Sequence, residues 1–367
     1  MSKPIVDLVA GARPNFMKLA PVERALRKAG AVTTRIVHTG QHYDPGMNDV
    51  FFEELGIPAP DVHLEVGSGA HGSQTARILE RYEAHLIAAR PAAAVVFGDV
   101  NSTVACALAA VKLGVPVAHV EAGLRSFDRT MPEEINRLLT DAIADLLLVS
   151  EPSGVSNLRR EGVPEEKIHL VGNVMVDTLM GEVERARALP IVAEMGLEPQ
   201  GYGLVTMHRP SNVDDPAVLG RMLSLLVDLG RRLPLVFPVH PRTRAAAGRA
   251  SLVNLLTDGP GLICSPPLPY RQNLALMASA SVVLTDSGGM QEETTVLRVP
   301  CLTMRENTER PITVEKGTSR LVGNDPDTIR AAFDEVMAGR WPAGESIPLW
   351  DGKAGERVAA AIGEWLS

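Results

Sequence analysis

Cysteine is scarce in this chain: Cys106, Cys264 and Cys301 are the only three among 367 residues, set far apart and each inside an apolar run. An odd, scattered set excludes a disulfide-framed scaffold and suits buried thiols in a reducing compartment. Positive charge is short as well. With 36 Lys and Arg against 44 Asp and Glu, the net charge is -8, so no bulk field gathers a nucleic-acid backbone or an anionic membrane. Neither nucleic acid nor a lipid surface is expected as a partner. No apolar stretch reaches bilayer length, and the opening MSKPIVDLVAGARPN breaks at Gly11 without the hydrophobic segment or cleavage site of a signal peptide. The expected location is the cytoplasm.

Metal-site patterns are missing too. The nine histidines form no H-E-x-x-H, and His38 and His42, four apart, span a strand-to-turn stretch rather than one helix face, so no metal centre is expected. No cysteine stands poised beside a histidine in one motif for nucleophilic catalysis.

What the chain has in quantity is apolar residue, 45%, over a length that exceeds one ordinary core, and two domains are expected. Short runs rich in Val, Ile and Leu alternate with helical stretches, the pattern of βα units around a buried parallel sheet. IVDLVA (5–10), TRIVHTG (34–40), AAAVVFGD (92–99), PVAHVEAG (116–123) and DLLLVS (145–150) read as strands of a first doubly wound sheet. APVERALRKAG, TVACALAAVKLG and EEINRLLTDAIA read as the helices between them. A second series follows in YGLVTMH (202–208), PLVFPVH (234–240), GLICS (261–265), SVVLTD (281–286) and PCLTM (300–304). The crossing is expected within 172–200, giving domains over 1–172 and 173–354, with the amphipathic tail helix 355–367 packing back on the first.

Ligands of open α/β sheets bind outside the carboxyl ends of the strands, so the polar residues just after each strand carry the functional reading. Those segments are GARPNFMK, TGQHYD, GDVNST, EAGLRS, MHRPSN, VHPRT and DSGGMQEE. GARPNFMKLAP fits neither the dinucleotide-binding nor the P-loop pattern, so it supports no nucleotide cofactor. Its Arg13 and Lys18 flank a helix start and read either as an anion site or as two solvated charges. In DSGGMQEE, Ser287, Gly288 and Gly289 lack bulk and let backbone amides approach a pyrophosphate, against the plainer reading of a glycine-rich turn. His208, ending a strand, can donate to a phosphate oxygen. Asp99 and Glu121 end adjacent strands and Glu133 opens the next helix, so the three are expected in one cleft, where mutual repulsion raises at least one pKa and sets an acid beside a base. Taken singly, Asp99 also reads as a helix cap and Glu133 as a first-turn acid.

Together, in order, GARPNFMKLAP, TGQHYD, GDVNST, HVEAGLRS, PEEINRLLTD, VTMHRPSNV, PVHPRT, LTDSGGMQEE and NTERP resemble the non-hydrolysing UDP-N-acetylglucosamine 2-epimerases over nearly the whole chain. The resemblance implies the α/β GT-B fold, two Rossmann-like doubly wound domains facing an inter-domain cleft. It implies inversion at C2 of a UDP-linked N-acetylamino sugar, UDP-N-acetylglucosamine to UDP-N-acetylmannosamine, with no cofactor. The route is elimination of UDP to a 2-acetamidoglucal and re-addition. By the same resemblance the acid/base carboxylates are Asp99, Glu121 and Glu133, and the UDP contacts are Arg13, Lys18, His208, Ser287, Gly288, Gly289, Glu293 and Arg310. An effector site for a second UDP-sugar would use Gln41, Arg209 and His240, with Asp44 where a second glutamine is expected and Ser73 where an arginine is. A homodimer serving cell-surface polysaccharide synthesis is also implied.

Rivals share parts of this pattern. SGG with a following acid and RVP also resembles the donor site of GT-B glycosyltransferases, but three carboxylates with Arg13 and Lys18 stand where a transferase needs an acceptor groove. A hydrolysing epimerase, an epimerase of UDP-2,3-diacetamido-uronic acids and a non-catalytic nucleotide-sugar sensor complete the set; a sensor has no need of the carboxylates.

Overall fold

The computed structural model describes residues 3–41 and 52–367. His42 and Asp44 lie outside the described residues. The chain divides into two compact units, Met1–Gly181 with Pro348–Ser367, and Glu182–Ile347.

Among the described residues of the first unit, seven parallel strands are β1 (Ile5–Ala10), β2 (Thr33–His38), β3 (Val62–His63), β4 (Ala93–Phe97), β5 (Val117–Ala122), β6 (Leu146–Val149) and β7 (Ile168–Leu170). Their order is β3-β2-β1-β4-β5-β6-β7. β4 (AAVVF) and β6 (LLLV) are buried at every position, as continuous apolar runs must be when helices cover both faces. Val9, Val37, Val96, Leu147 and Val149 meet Ile78, Leu86 and the small face Ala105–Ala107 of a crossover helix in one core.

The second unit repeats the plan with β8 (Gly203–Thr206), β9 (Leu235–Pro238), β10 (Leu262–Ser265), β11 (Val282–Thr285), β12 (Cys301–Thr303) and β13 (Ser319–Leu321), parallel and ordered β10-β9-β8-β11-β12-β13. In each sheet the strand order reverses at one place, between β1 and β4 and between β8 and β11. Helices leave opposite faces there and open a crevice at the strand ends, which is where such sheets take ligands.

The fold is therefore α/β with two parallel sheets, as the run pattern foretold. Two details differ from the reading of the sequence. The first helix spans Arg13–Ala29, so the start flanked by Arg13 and Lys18 falls at Arg13 and the helix extends ahead of the run APVERALRKAG, with Pro14 in its first turn where a missing N–H costs nothing. β3, β7 and β13 escape a sequence reading because two- and three-residue edge strands show no periodicity. The tail helix Ala354–Trp365 packs on helix Arg13–Ala29. Asp177 accepts from the amides of Ala354 and Gly355 at 3.0 and 2.7 Å, a cap supplied from a distant helix.

Candidate active site

At the first reversal, the ends of β1, β4 and β5 bring Asn15, Lys18, Gly98, Asp99 and Glu121 together. Glu121 has φ 75°, a left-handed conformation rare for a residue with a side chain, inside a bulge where the β5–β6 register slips between Val120 and Ala122. Strain of this kind persists only where surrounding structure enforces it, and it clusters at functional sites. The turn aims the carboxylate at Lys18, which forms a buried ion pair with it. Gly98, at φ 63°, is required beside them: a Cβ there would lie 2.7 Å from Lys18 Nζ and 3.2 Å from Glu121 Oε2.

Beneath these strand ends, His119 is fully buried, with Nδ1 2.6 Å from Asp141 Oδ1 and Nε2 2.7 Å from the Gly98 carbonyl. Asp141 Oδ2 accepts from the Gly123 amide at 3.0 Å and pairs with Arg125 at 2.7 Å. Burial alone would raise the Asp141 carboxyl, but the His119 ring and the Arg125 guanidinium outweigh it and hold it below the usual carboxylate range. One network thus fixes the backbone on either side of Glu121 and the residue before Asp99.

Asp99, half-buried, is gripped by Arg137 Nε and Nη2 at 3.1 and 2.9 Å. Glu133 lines the same cavity as Asp99, with Gln41, His71, Gln74, Asn101 and Asn136. Glu134, next to Glu133, instead caps its own loop, accepting from the amides of Ser126 and Phe127. The sequence reading expected mutual repulsion among three carboxylates. Here Asp99 faces Arg137, which it shares with Glu134, and Glu121 faces Lys18, so opposite charges govern the surroundings of both. Lys18, expected to meet a phosphate, is committed to Glu121. Arg13 stands at the first position of its helix, half-exposed.

The structure brings Gln41 into this set by another route: its Oε1 accepts from Ser102 N and Oγ at 2.9 and 2.7 Å, anchoring the β2 end to the helix that follows Asp99. The run GSGAHG, Gly67–Gly72, spells a dinucleotide-turn spacing that the sequence reading passed over, but it follows the two-residue edge strand β3 rather than a central strand, and its Ser68, Gly69 and His71 line the cavity that holds Asp99 and Glu133.

At the second reversal, β8 and β11 end in His208, Arg209 and Asp286. Asp286, wholly buried, accepts from the amides of His208 and Arg209 at 2.8 Å each and from Asn212 Nδ2 at 3.1 Å. His208 Nδ1 lies 2.9 Å from Asp286 Oδ1, which orients the ring. Burial would raise Asp286; His208 and the two amides outweigh it and keep the carboxyl low. His240 caps helix Pro241–Arg249, accepting from the Arg242 amide at 3.1 Å, and its ring lies 5.2 Å from that of His208. Burial, then His208, push His240 below its ordinary value.

Ser287 is the N-cap residue of helix Gly288–Leu297. Gly288 is small for a reason the sequence did not disclose: a Cβ there would lie 2.6 Å from Glu309 Oε1 and 2.7 Å from Arg310 Nη1. Arg310, buried, pairs with Glu309 at 2.6 Å and Glu292 at 2.7 Å. Glu293, also buried, accepts from the Tyr270 hydroxyl at 3.1 Å. Asp141, His119, Asp286, Tyr270 and Glu309 were thus missed. Asp286 closes an apolar run read as a strand, and His119, Asp141 and Glu309 fall inside the quoted motifs HVEAGLRS, PEEINRLLTD and NTERP, but no local signal gave any of them a role.

Such an arrangement offers backbone amides and guanidinium groups to an anion in one unit and cation-paired carboxylates for proton transfer in the other. A family model described as UDP-N-acetylglucosamine 2-epimerase matches residues 24–363. A UDP-N-acetylglucosamine 2-epimerase of Methanocaldococcus jannaschii is 40% identical over 97% of this chain and 98% of its own. A UDP-2,3-diacetamido-2,3-dideoxy-D-glucuronate 2-epimerase of Pseudomonas aeruginosa is 39% identical over 98% of both. The crystal structure of the Methanocaldococcus jannaschii UDP-GlcNAc 2-epimerase in complex with UDP-GlcNAc and UDP superposes with TM-score 0.91 at 39% identity, covering 98% of this chain and 99% of that one.

Proposed function

Because this chain belongs to the UDP-N-acetylglucosamine 2-epimerase family, we propose that it inverts C2 of a UDP-linked 2-acetamido sugar, converting UDP-N-acetylglucosamine to UDP-N-acetylmannosamine. The C2 hydrogen has no neighbouring carbonyl to acidify it. Expulsion of UDP solves that problem: the C1–O bond breaks with its electron pair going to UDP, a carboxylate takes the C2 proton, and a C1=C2 bond forms in the 2-acetamidoglucal. Re-addition of UDP at C1, with a proton delivered to the other face of C2, completes the inversion. Asp99, Glu121 and Glu133 are the proton carriers. Arg13, Lys18, His208, Ser287, Gly288, Gly289, Glu293 and Arg310 serve the nucleotide, Lys18 while also paired with Glu121. Stabilising the departing diphosphate is the larger electrostatic task, and amides with guanidinium groups held in place suit it.

The observation that carries this reading is Glu121: a strained carboxylate at a strand bulge, paired with Lys18 at the sheet's reversal, where such sheets take ligands. The test is an NMR tube of protein and UDP-N-acetylglucosamine in D2O. Deuterium at C2 with both epimers present is expected; free UDP with free sugar indicates a hydrolysing enzyme, and an inert substrate overturns the assignment. His208→Ala should weaken UDP binding in the same preparation.

A second substrate reading has support in the near-equal identity to the Pseudomonas aeruginosa enzyme. Comparing kcat/KM for UDP-N-acetylglucosamine and the UDP-2,3-diacetamido-uronic acid separates the two. We further place the protein in the cytoplasm as a homodimer supplying UDP-N-acetylmannosamine to cell-surface polysaccharide. The three buried or half-buried cysteines suit a reducing compartment, and among the described residues no helix is long and apolar enough to cross a membrane. Activation by a second UDP-sugar would rest on Gln41, Arg209 and His240 and would show as sigmoidal kinetics.

A further inference from the structure

On the reading that the second unit takes the UDP, we propose that Arg305 is a further nucleotide-binding residue, anchored by Glu309 and donating its Nη1 group to the diphosphate at the Ser287–Gly289 turn. Three arginines gather at that turn. Arg310 Nη1 pairs with Glu309 Oε1 at 2.6 Å, and Arg209 Nη2 lies 4.0 Å from the same oxygen. Arg305 Nη2 pairs with Glu309 Oε2 at 2.8 Å and lies 3.3 Å from Asn307 Oδ1. Glu309 Oε1 in turn sits 2.6 Å from where a Cβ on Gly288 would be, so the cluster rests against the first turn of helix Gly288–Leu297.

An acid beside a helix N-terminus is favourable by itself but would repel a diphosphate. Glu309 is compatible with an anion site because both its oxygens are spent on guanidinium groups. That makes it a positioning residue, holding Arg305 and Arg310 as one fork.

Arg305 has more donors than partners. Its side chain is only 5% exposed, yet Nη1 has no hydrogen-bond partner among the described residues. A guanidinium does not shed its proton to escape burial, so a buried N–H left over is a standing cost that a ligand oxygen removes. The surroundings agree: burial first, then the like charges of Arg209 and Arg310, hold Arg305 below its ordinary value despite Glu309. Excess positive potential of this kind is what a dianionic diphosphate discharges.

Calorimetric titration of the full chain with UDP and with uridine tests the assignment. Arg305→Met should weaken UDP about 10- to 100-fold while uridine affinity stays unchanged, the loss expected for one charge-assisted hydrogen bond. Arg305→Lys, which keeps the charge without the fork and guards against a misfolded methionine variant, should lose UDP affinity to an intermediate extent. Glu309→Gln should weaken UDP as well, because the fork loses its anchor. Arg305 variants binding UDP within twofold of wild type, or losing UDP and uridine in parallel, overturn the proposal; tighter UDP binding by Glu309→Gln removes the positioning role. Since UDP binding is read without turnover, an epimerase test that fails while these results hold strikes the reaction alone. A wild-type chain that binds no UDP removes the reading on which this inference stands.

Discussion

At the scale of single residues, what distinguishes the proposed proton carriers is the company each keeps. Asp99 is half-buried and shares Arg137 with Glu134, so Asp99→Asn leaves the guanidinium with a partner. Turnover should fall by orders of magnitude, with thermal denaturation little changed. Glu121 is different, because its loss strands the Lys18 ammonium in a buried site. Glu121→Gln should cost about 3–5 kcal/mol of stability in addition to activity, as broken buried pairs do. The double variant Glu121→Gln with Lys18→Met should recover most of that stability and none of the turnover. A melting curve and a rate on each variant check both halves, and an active double variant would remove Glu121 from the mechanism.

Among the elements, the ends of β4 and β5 are placed by the His119–Asp141 pair rather than by strand pairing alone. His119→Gln keeps a donor within reach of the Gly98 carbonyl but loses the ring nitrogen that meets Asp141, so kcat should drop with KM nearly unchanged, whereas general loss of structure would move both. Asp141 and Asp286 also set an acid limit. Each has its folded-state carboxyl held below the ordinary value. The stability they contribute is in full force above about pH 3.9, the unfolded aspartate value, and is lost as pH falls from there through the lower folded values. Asp141→Asn should flatten the fall in melting temperature below about pH 4 relative to wild type. An unchanged slope would show that the pair does not bear on acid stability.

For the molecule as a whole, the tail helix Ala354–Trp365 returns to the first unit and covers helix Arg13–Ala29, the element that carries Asn15 and Lys18. Asp177→Ala uncaps that helix by removing the acceptor of two amides and should cost about 1 kcal/mol. Deleting the helix should destabilise the unit containing Asp99 and Glu121 and leave the Glu182–Ile347 unit's melting transition in place, which scanning calorimetry of the two transitions resolves. A single transition shifted as one body would show instead that the units unfold together.

How much of this was legible beforehand follows from what leaves a local trace. The central strands were visible because full burial demands unbroken apolar runs, and the proposed site residues Asp99, Glu121, Glu133, His208 and the Ser287–Gly289 turn could be singled out because they directly follow such runs or open the next helix. The short edge strands left none, since pairing decides them. Sequence by itself thus determined the α/β class, the repeat of the plan and the polar residues at strand ends, all set by neighbours along the chain. Only tertiary structure decided that Lys18 answers Glu121, that Gly288 makes room for Arg310 and Glu309, and that Arg305 keeps a donor in hand. Charges pair through space, and residues more than a hundred positions apart, as Lys18 and Glu121 are, meet only when the sheet is assembled.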